Sequence, residues 1–407
     1  MKKLKRSKLN GTNVPVTKEV NCGKKQKLTE IHLALNSDPV DIESLRRAAA
    51  SQGGLLSNEL RRKVWPKLLN VNVYDLPHKP RKDGRENHKD YNQVVLDVKR
   101  SMKRFPKGMP SAERAVLQEQ LVDIILEVLR CNTQLNYYQG YHDVAVTLLL
   151  VVGERMAIAM LHTLSKYHLR DFMDPTMDST KHILNYLMPL LEEVDKELHD
   201  FLLRAEVGTI FALSWLITWY GHVLSEFKHT LRLYDFFLAS HPIMPIYLAA
   251  TIVLYREQEV KQTECDMAMV HHLLSRIPQD LPYELLIGQS QNLFNRYPPA
   301  VLAKRAALQS RKSLSISTFK AFQQSTFHQR PDSVLQRLTK AQATTSRQAR
   351  HSGLDVALPQ DGGQRWGKGS RMVKMAVWGL SATLGAAIFA VAQTAMEWAP
   401  DTLLQLF

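Results

Sequence analysis

Cysteine is scarce in this sequence: only three occur in 407 residues, and Cys22, Cys131 and Cys265 lie far apart. An odd number of separated cysteines excludes a disulfide framework, and no Cys-x-x-Cys pair is present to hold zinc. His271 and His272 are adjacent but have no HExxH motif or paired cysteines nearby, so we expect packing or surface roles for them. This cysteine usage is typical of a protein body in a reducing compartment such as the cytosol.

Motifs for nucleophilic catalysis and for phosphate binding are also missing. The nearest match to a phosphate loop is GGQRWGKGS, in which Gly362, Gly367 and Lys368 have Walker spacing. Gly369 stands where a Ser or Thr should coordinate magnesium, and no strand-like segment precedes the glycines. We interpret this match as chance, and we expect no metal, no cofactor and no nucleotide site in the chain itself.

The net charge of +14 is unevenly distributed. Residues 1–28 hold nine Lys or Arg against one acid, and residues 301–374 hold fourteen against three. These excesses of +8 and +11 leave the middle of the chain near −5, because 14 − 19 = −5. Basic tails around a mildly acidic body, without C2H2 spacing or an RNP motif, argue against a nucleic-acid-binding fold.

A long run without charge lies near the C-terminus. MAVWGLSATLGAAIFAVA, residues 375–392, and the four residues after it reach Glu397 without a charged side chain. About twenty such residues match the thickness of a bilayer core, and Trp378 and Trp398 lie where interfacial anchors are common. A terminal core helix is the alternative, but no folded segment follows to cover it. The sequence therefore predicts a transmembrane helix at residues 373–395.

The flanking charges predict how this helix is oriented. Only Glu397 and Asp401 follow it, whereas four basic residues precede it: Arg365, Lys368, Arg371 and Lys374. The positive-inside rule keeps the N-terminal portion cytosolic. We expect post-translational, tail-anchored insertion into the endoplasmic reticulum membrane, with residues 396–407 as a short lumenal tail.

The rest of the chain has the spacing of helices. In residues 111–132, Leu117, Leu121, Ile125 and Val128 form one apolar stripe, and alternating strand-like runs are scarce throughout. The run at 236–255, FFLASHPIMPIYLAATIVLY, could be read as a second membrane span. Two prolines and a histidine interrupt its first half, so we favour a buried core helix.

These patterns predict an all-α protein with five regions. Residues 1–54 are expected to form a basic, partly disordered arm, with a short helix-like stretch at IESLRRAAA. Residues 55–300 form the helical domain, and 301–372 form a basic, largely disordered linker. The transmembrane helix and the lumenal tail complete the chain.

Two short segments carry side chains suited to phosphoryl chemistry. In YNQVVLDVKRSMKRFP, residues 91–106, Asp97 and Arg100 fall at i and i+3, so a helix would place the carboxylate beside the guanidinium. In YYQGYHD, residues 137–143, Gln139 can both donate to and accept from a water, and Gly140 lets the backbone approach an anion. Taken separately, a basic run is usually a solvated helix face, and paired tyrosines are usually core or turn aromatics. Together they supply the arginine and glutamine that GTP hydrolysis uses.

The order of motifs resembles the TBC domain of Rab GTPase-activating proteins. VxxDxxR and YQG occur with LRRKVW upstream, Leu60 to Trp65, and RLYDFF downstream, Arg232 to Phe237. Val94 replaces the isoleucine that begins the family's IxxDxxR motif. The resemblance covers roughly residues 55–300 and implies a multi-helix TBC-type domain.

The resemblance also implies roles for individual residues. Arg100 would be the arginine finger and Gln139 the glutamine finger, both inserted into a bound Rab that carries the GTP and magnesium. Asp97 would support Arg100, while Tyr138 and Gly140 would shape the glutamine loop. Arg61 and Trp65 would serve the fold. The chain would then be an activator that completes the active site of a partner GTPase, with no catalytic site of its own.

Two details leave alternatives open. The family commonly continues YQG with Met-Asn, whereas this chain has Tyr141 and His142, so the contacts behind the finger and the Rab preference are less defined. Arg104 is a rival for the finger, but only Arg100 lies three residues after Asp97. The competing function is a catalytically inactive TBC scaffold or Rab effector, which would be expected to lack one or both fingers.

Overall fold

The computed structural model describes residues 16–101, 105, 108–305 and 311–352, and within these ranges all regular structure is helical. The predicted all-α fold is therefore confirmed. The α-helices are α1 (Val16–Asn36), α2 (Ile42–Ala50), α3 (Asn58–Leu68), α4 (Tyr91–Arg100), α5 (Ser111–Arg130), α6 (Tyr141–Val152), α7 (Glu154–Tyr167), α8 (Asp178–Leu184), α9 (Leu187–Val194), α10 (Lys196–Arg204), α11 (Leu213–Ile217), α12 (Phe227–Ala239), α13 (Met244–Tyr255), α14 (Glu257–Gln262), α15 (Met267–Ser275), α16 (Tyr283–Arg296), α17 (Pro299–Arg305), α18 (Leu314–Thr326) and α19 (Asp332–Ser352). Short 3-10 turns occur at Arg85–Asn87, Arg170–Met173 and Ile210–Ala212.

Helix α13 forms the centre of the core. Its residues from Met244 to Val253 are all buried, and it packs against α9, α11 and α16. A helix that is apolar on every side needs such surroundings, since each buried Leu or Ile contributes about 1.5–3 kcal/mol. The prediction of a core helix within 236–255 is confirmed.

A membrane span was expected only beyond this core. Across the portion of the chain that the structure describes, none of the helices has the length and hydropathy that a bilayer crossing requires. The predicted transmembrane helix at 373–395 and the tail at 396–407 lie outside the described residues. By Cα proximity the chain divides into two units, Met1–Ser346 and Arg347–Phe407, and the described part of the second is the end of α19.

The N-terminal region contains two helices where a basic, partly disordered arm was expected, and α2 coincides with the helix-like stretch predicted at IESLRRAAA. Ile31, Ala34 and Leu35 form a buried stripe on α1, which packs against α2, and α2 packs against α12. Asp41 caps α2 by accepting a hydrogen bond from the backbone N–H of Ser44. Helix α1 was not predicted because its apolar stripe is short and lies among many lysines. Its packing shows that the folded body begins well before residue 55. Residues 1–15 lie outside the description.

The linker expected to be largely disordered at 301–372 contains helices α18 and α19 in its described part. Helix α18 packs on α7, with Phe319 and Phe322 buried and the Phe322 ring 4.6 Å from that of Tyr167. Ser313 caps this helix and donates a 2.6 Å hydrogen bond to the buried Asp171. Two aromatic residues three positions apart are enough to bury one face of an otherwise polar helix. Residues 306–310 and 353–372 of the expected linker are outside the described ranges.

The LRRKVW and RLYDFF motifs meet inside the body. Asp235 on α12 is fully buried and accepts hydrogen bonds from Arg61 Nη2 at 2.8 Å and from Trp65 Nε1 at 2.8 Å. The backbone N–H of Leu55 donates a further bond to it at 3.0 Å. A buried carboxylate with this many donors joins α3 to α12. The interpretation that Arg61 and Trp65 serve the fold is confirmed.

Candidate functional site

Asp97 lies near the C-terminal end of α4 and is almost completely buried. Its Oδ2 accepts a hydrogen bond from the Tyr137 hydroxyl at 2.9 Å, and its Oδ1 accepts one from Gln93 Nε2 at 3.0 Å. Arg100 Nη1 lies 3.9 Å from the same Oδ1. One carboxylate therefore contacts the predicted arginine and the segment that carries the predicted glutamine.

Arg100 is the last residue of α4, and its side chain is 65% exposed. A cation in the last turn of a helix is favoured by the helix dipole. At this distance and exposure the ion pair with Asp97 contributes about 0–1 kcal/mol, so it orients the guanidinium without holding it firmly. The rival Arg104 lies outside the described residues.

Tyr138 anchors the loop that precedes α6. Its hydroxyl donates a 2.8 Å hydrogen bond to the carbonyl of Ile217, and its ring meets those of Tyr141 and Phe172 edge-on. Burial raises the pKa of the Tyr138 hydroxyl well above its usual range. Burial, with the nearby Asp97 carboxylate second, also raises the pKa of Tyr137 far above its usual range. Both hydroxyls therefore stay protonated and can donate.

Gly140 has a backbone conformation that side chains rarely adopt. Its φ is 108°, and a Cβ built there would lie 2.9 Å from Cγ2 of the buried Thr218. Gly140 is also the N-cap residue of α6. Only glycine fits this close approach. The contact therefore fixes the backbone position of the preceding residue, Gln139, in the loop.

Gln139 is exposed at that point of the loop. Its carboxamide makes no hydrogen bond with the residues that the structure describes. Gln139 follows Tyr137 by two residues, and Arg100 follows Asp97 by one helical turn. The Asp97–Tyr137 bond thus brings together the two segments that carry Arg100 and Gln139.

A second polar cluster adjoins the start of α6. His142 Nδ1 lies 3.3 Å from the Tyr137 hydroxyl, and its Nε2 lies 3.8 Å from Oδ2 of the buried Asp143. The same Oδ2 is 3.3 Å from Nδ1 of His222, whose side chain is 66% exposed. No role for Asp143 or His222 was predicted, because His222 lies far from α6 in sequence and no local pattern indicates this contact.

A possible cation site elsewhere is already filled by a lysine. Among the described residues, Asp195, Glu197 and Glu257 place carboxylate oxygens close enough to share an ion. Lys261 Nζ lies 3.4, 2.8 and 2.7 Å from these three carboxylates, respectively. The ammonium group supplies the charge that a metal would otherwise bring.

A known protein family matches the helical body of this chain. The model of the Rab-GTPase-TBC domain family matches residues 58–261. The chain belongs to this family. The matched range contains Asp97, Arg100 and Gln139, and it falls inside the region predicted at 55–300.

Relatives extend the likeness of this TBC domain to nearly the whole chain. TBC1 domain family member 20 of Homo sapiens is 58% identical over 390 residues, which cover 96% of this chain and 94% of the relative. The motif order and the C-terminal apolar run together predict a resemblance to TBC domain family member 20, and this identity confirms it. GTPase-activating protein gyp10 of Schizosaccharomyces pombe is 33% identical over 267 residues, which cover 65% of this chain and 70% of the relative.

A solved structure shares the fold of this TBC domain. The crystal structure of the Ypt/Rab-GAP domain of Gyp1p aligns with a TM-score of 0.55 at 15% identity, covering 67% of this chain and 99% of that one. At such low identity the likeness concerns the fold alone. The helical arrangement described above is therefore that of a TBC domain.

Proposed function

We propose that this protein is a GTPase-activating protein for a Rab-family GTPase and that Arg100 and Gln139 are its catalytic residues. The observation that carries the proposal is the hydrogen bond between Asp97 and Tyr137. It joins two segments that each present an exposed side chain, one cationic and one able to hold a water. The names of the relatives, which describe a TBC domain and a GTPase-activating protein, support the same activity.

The chemistry follows from what GTP hydrolysis requires. Charge develops on the transferred phosphoryl group, and Arg100 would neutralise it, while Gln139 would orient the attacking water. The Rab supplies the GTP, the magnesium and the phosphate loop, so the activator needs no cofactor of its own. An arginine finger contributes about 10³–10⁵ in rate, or about 4–7 kcal/mol of barrier.

Supporting residues would keep this geometry ready before the Rab arrives. Asp97 limits where the Arg100 guanidinium lies, and Tyr138 and Gly140 fix the loop from which Gln139 extends. Positioning of this kind lowers the entropic cost of assembling the catalytic groups. An inactive scaffold or effector would not need it.

Single-turnover GTP hydrolysis by a panel of Rabs tests the proposal. The full chain in detergent should accelerate hydrolysis by at least one Rab, and Arg100→Ala or Gln139→Ala should abolish most of that acceleration. Lys99→Ala is the matched control, because Lys99 is exposed beside Arg100 and should leave the rate unchanged. Full acceleration by both finger variants would exclude the catalytic assignment, and Rab binding without acceleration would favour the scaffold.

We further propose that residues 373–395 anchor the protein in the endoplasmic reticulum membrane, with the TBC domain in the cytosol and residues 396–407 in the lumen. The charge-free run and its basic flank support this membrane anchor. A location at the endoplasmic reticulum would place the activity early in vesicle-mediated transport. Deleting residues 371–407 should move the protein to the soluble fraction. Persistent resistance to alkaline extraction would contradict the anchor.

A further inference from the structure

His142 lies directly behind the Asp97–Tyr137 bond and takes no part in the function proposed above. It is the second residue of α6 and only 7% exposed, so it lies behind the surface that a partner could touch. Its two ring nitrogens face different groups: Nδ1 lies 3.3 Å from the Tyr137 oxygen, and Nε2 lies 3.8 Å from Asp143.

Counting hydrogens fixes the direction of these contacts. Tyr137 has one hydroxyl hydrogen and donates it to Asp97, a carboxylate that can only accept when ionised. The Tyr137 oxygen can therefore bond to His142 only as an acceptor, which requires a hydrogen on Nδ1 of the imidazole. The result is an ordered chain in which His142 Nδ1–H donates to Tyr137 and Tyr137 O–H donates to Asp97. Bonds in such a chain strengthen each other in a site away from water.

We propose that His142 is a positioning residue for the two fingers and that it acts through Tyr137. This inference rests on the proposed function, since it explains how Arg100 and Gln139 are held for the same reaction. With Tyr137 held from both sides, the separation between the C-terminal end of α4 and the loop before α6 is fixed. Removing the Nδ1 donor lets the Tyr137 side chain rotate. The relative position of the segments that carry Arg100 and Gln139 is then no longer fixed.

A matched pair of substitutions tests this with little change in size or polarity. The amide N–H of Asn in His142→Asn lies near the place of Nδ1, whereas that of Gln in His142→Gln lies near the place of Nε2. In the full chain, His142→Asn should keep most of the maximal rate of Rab-catalysed GTP hydrolysis. His142→Gln should lower that rate about tenfold, the factor that corresponds to the net contribution of one hydrogen bond. The activator concentration at half-maximal rate should change little, because the His142 side chain is buried.

A double-mutant cycle with Tyr137→Phe separates positioning from a general effect on the fold. Once the hydroxyl is absent, the difference in rate between the Asn and Gln variants at position 142 should largely disappear, because the acceptor that faces the Nδ1 position is gone. Urea unfolding of each variant shows whether it is folded at the assay temperature. If Gln performs as well as Asn in the wild-type background, or if their difference persists in the Tyr137→Phe background, the inference is wrong.

Failure here is distinguishable from failure of the proposed function. Arg100→Ala and Gln139→Ala are measured in parallel with the same Rab. If these two variants lose the acceleration while the Asn and Gln variants at position 142 give equal rates, the catalytic roles of Arg100 and Gln139 are supported and the role proposed for His142 is wrong. If the finger variants keep full acceleration, both proposals fail.

Discussion

Asp97 accepts the hydroxyl hydrogen of Tyr137 at 2.9 Å across 40 residues of sequence, and this bond joins α4 to the loop before α6. Asp97 is buried, whereas Arg100 beside it is mostly exposed. A bond to a buried carboxylate is worth about 1.5–3 kcal/mol, several times the value of the partly exposed ion pair. Tyr137 therefore fixes Asp97, and Asp97 in turn directs Arg100.

Asp97→Asn should lower the maximal rate of Rab GTP hydrolysis roughly ten- to a hundredfold. An amide oxygen can still accept from Tyr137, but its NH2 group has no lone pair for Gln93 and no charge for Arg100. Single-turnover hydrolysis at saturating activator measures the rate. Asp83→Asn, at an exposed position before α4, should leave it unchanged. A fully active Asp97→Asn would show that Arg100 needs no support from α4.

Gly140→Ala should lower the free energy of unfolding by about 2 kcal/mol or more. A non-glycine residue in a left-handed conformation costs about 1–3 kcal/mol, and the new methyl group would also collide with Thr218. Hydrolysis should slow as well, because the loop that carries Gln139 must move. Urea unfolding followed by circular dichroism measures the stability.

Gly288→Ala is the control for that substitution. Gly288 lies within α16, and a Cβ there meets no atom within 4 Å. Alanine is the better helix former by about 1 kcal/mol, so this variant should be more stable than the wild type. The two substitutions should change the free energy of unfolding in opposite directions. Equal changes would contradict the assigned conformation of Gly140.

Asp235→Asn should destabilise the protein by about 3–5 kcal/mol, because it leaves the buried Arg61 guanidinium without its counter-charge. The change keeps the size of the side chain, so packing is nearly preserved. Glu197→Gln is the control: this carboxylate also pairs with a lysine, but its side chain is 83% exposed. An exposed pair contributes little to stability, so the control should unfold near the wild-type urea concentration. Similar midpoints for both variants would contradict a structural role for Asp235.

The sequence allowed the helical class and the central helix to be predicted because long apolar stripes leave few alternatives. Prolines in the run at 236–255 favour a buried core helix over a membrane span, and residues of this run fill the centre of the core. Short stripes were missed. Ile31 with Leu35, and Phe319 with Phe322, lie among basic and polar residues, yet both pairs are buried. The first lies on α1, which packs against α2, and the second on α18, which packs against the distant α7.

Part of the candidate site was also readable from spacing. Asp97 and Arg100 are one turn apart, and YQG is a local motif, so both segments could be found without coordinates. The hydrogen-bond partner of Asp97 could not be predicted from the sequence, because the choice between Tyr137 and Tyr138 depends on which ring faces α4. The contact of Gly140 with Thr218 is equally a product of tertiary packing, and no local pattern encodes it.

His168 should make the stability of the protein depend on pH. Burial lowers the pKa of this histidine from its ordinary value of 6.5 to about 3, and the charges of Arg46 and His241 add to the effect. Neither ring nitrogen has a hydrogen-bond partner in the described part of the chain, and the ring packs edge-on against Trp219, Phe319 and Phe322. Its neutral form is therefore the one that the fold accommodates.

The sign follows from proton binding. Below 6.5 the unfolded chain protonates His168, whereas the folded protein does not until the pH nears 3. Stability is therefore full above 6.5 and falls as the pH drops toward 3, by up to about 1.4 kcal/mol per pH unit for one histidine. Burial also lowers the pKa of His241 to about 4, so this second histidine adds a slope of the same sign.

His168→Phe should reduce this dependence while keeping an aromatic ring among its neighbours. Urea unfolding at pH of about 7.5 and about 5.5 gives the loss of unfolding free energy for each protein, and the variant should lose about 1 kcal/mol less than the wild type. His241 remains in the variant and keeps part of the slope. His272→Phe, at an exposed position on α15, should retain the full wild-type dependence. Equal losses in the wild type and His168→Phe would show that the folded protein accepts a charged imidazole at this position, and the packing of α18 over it would then have to open to water.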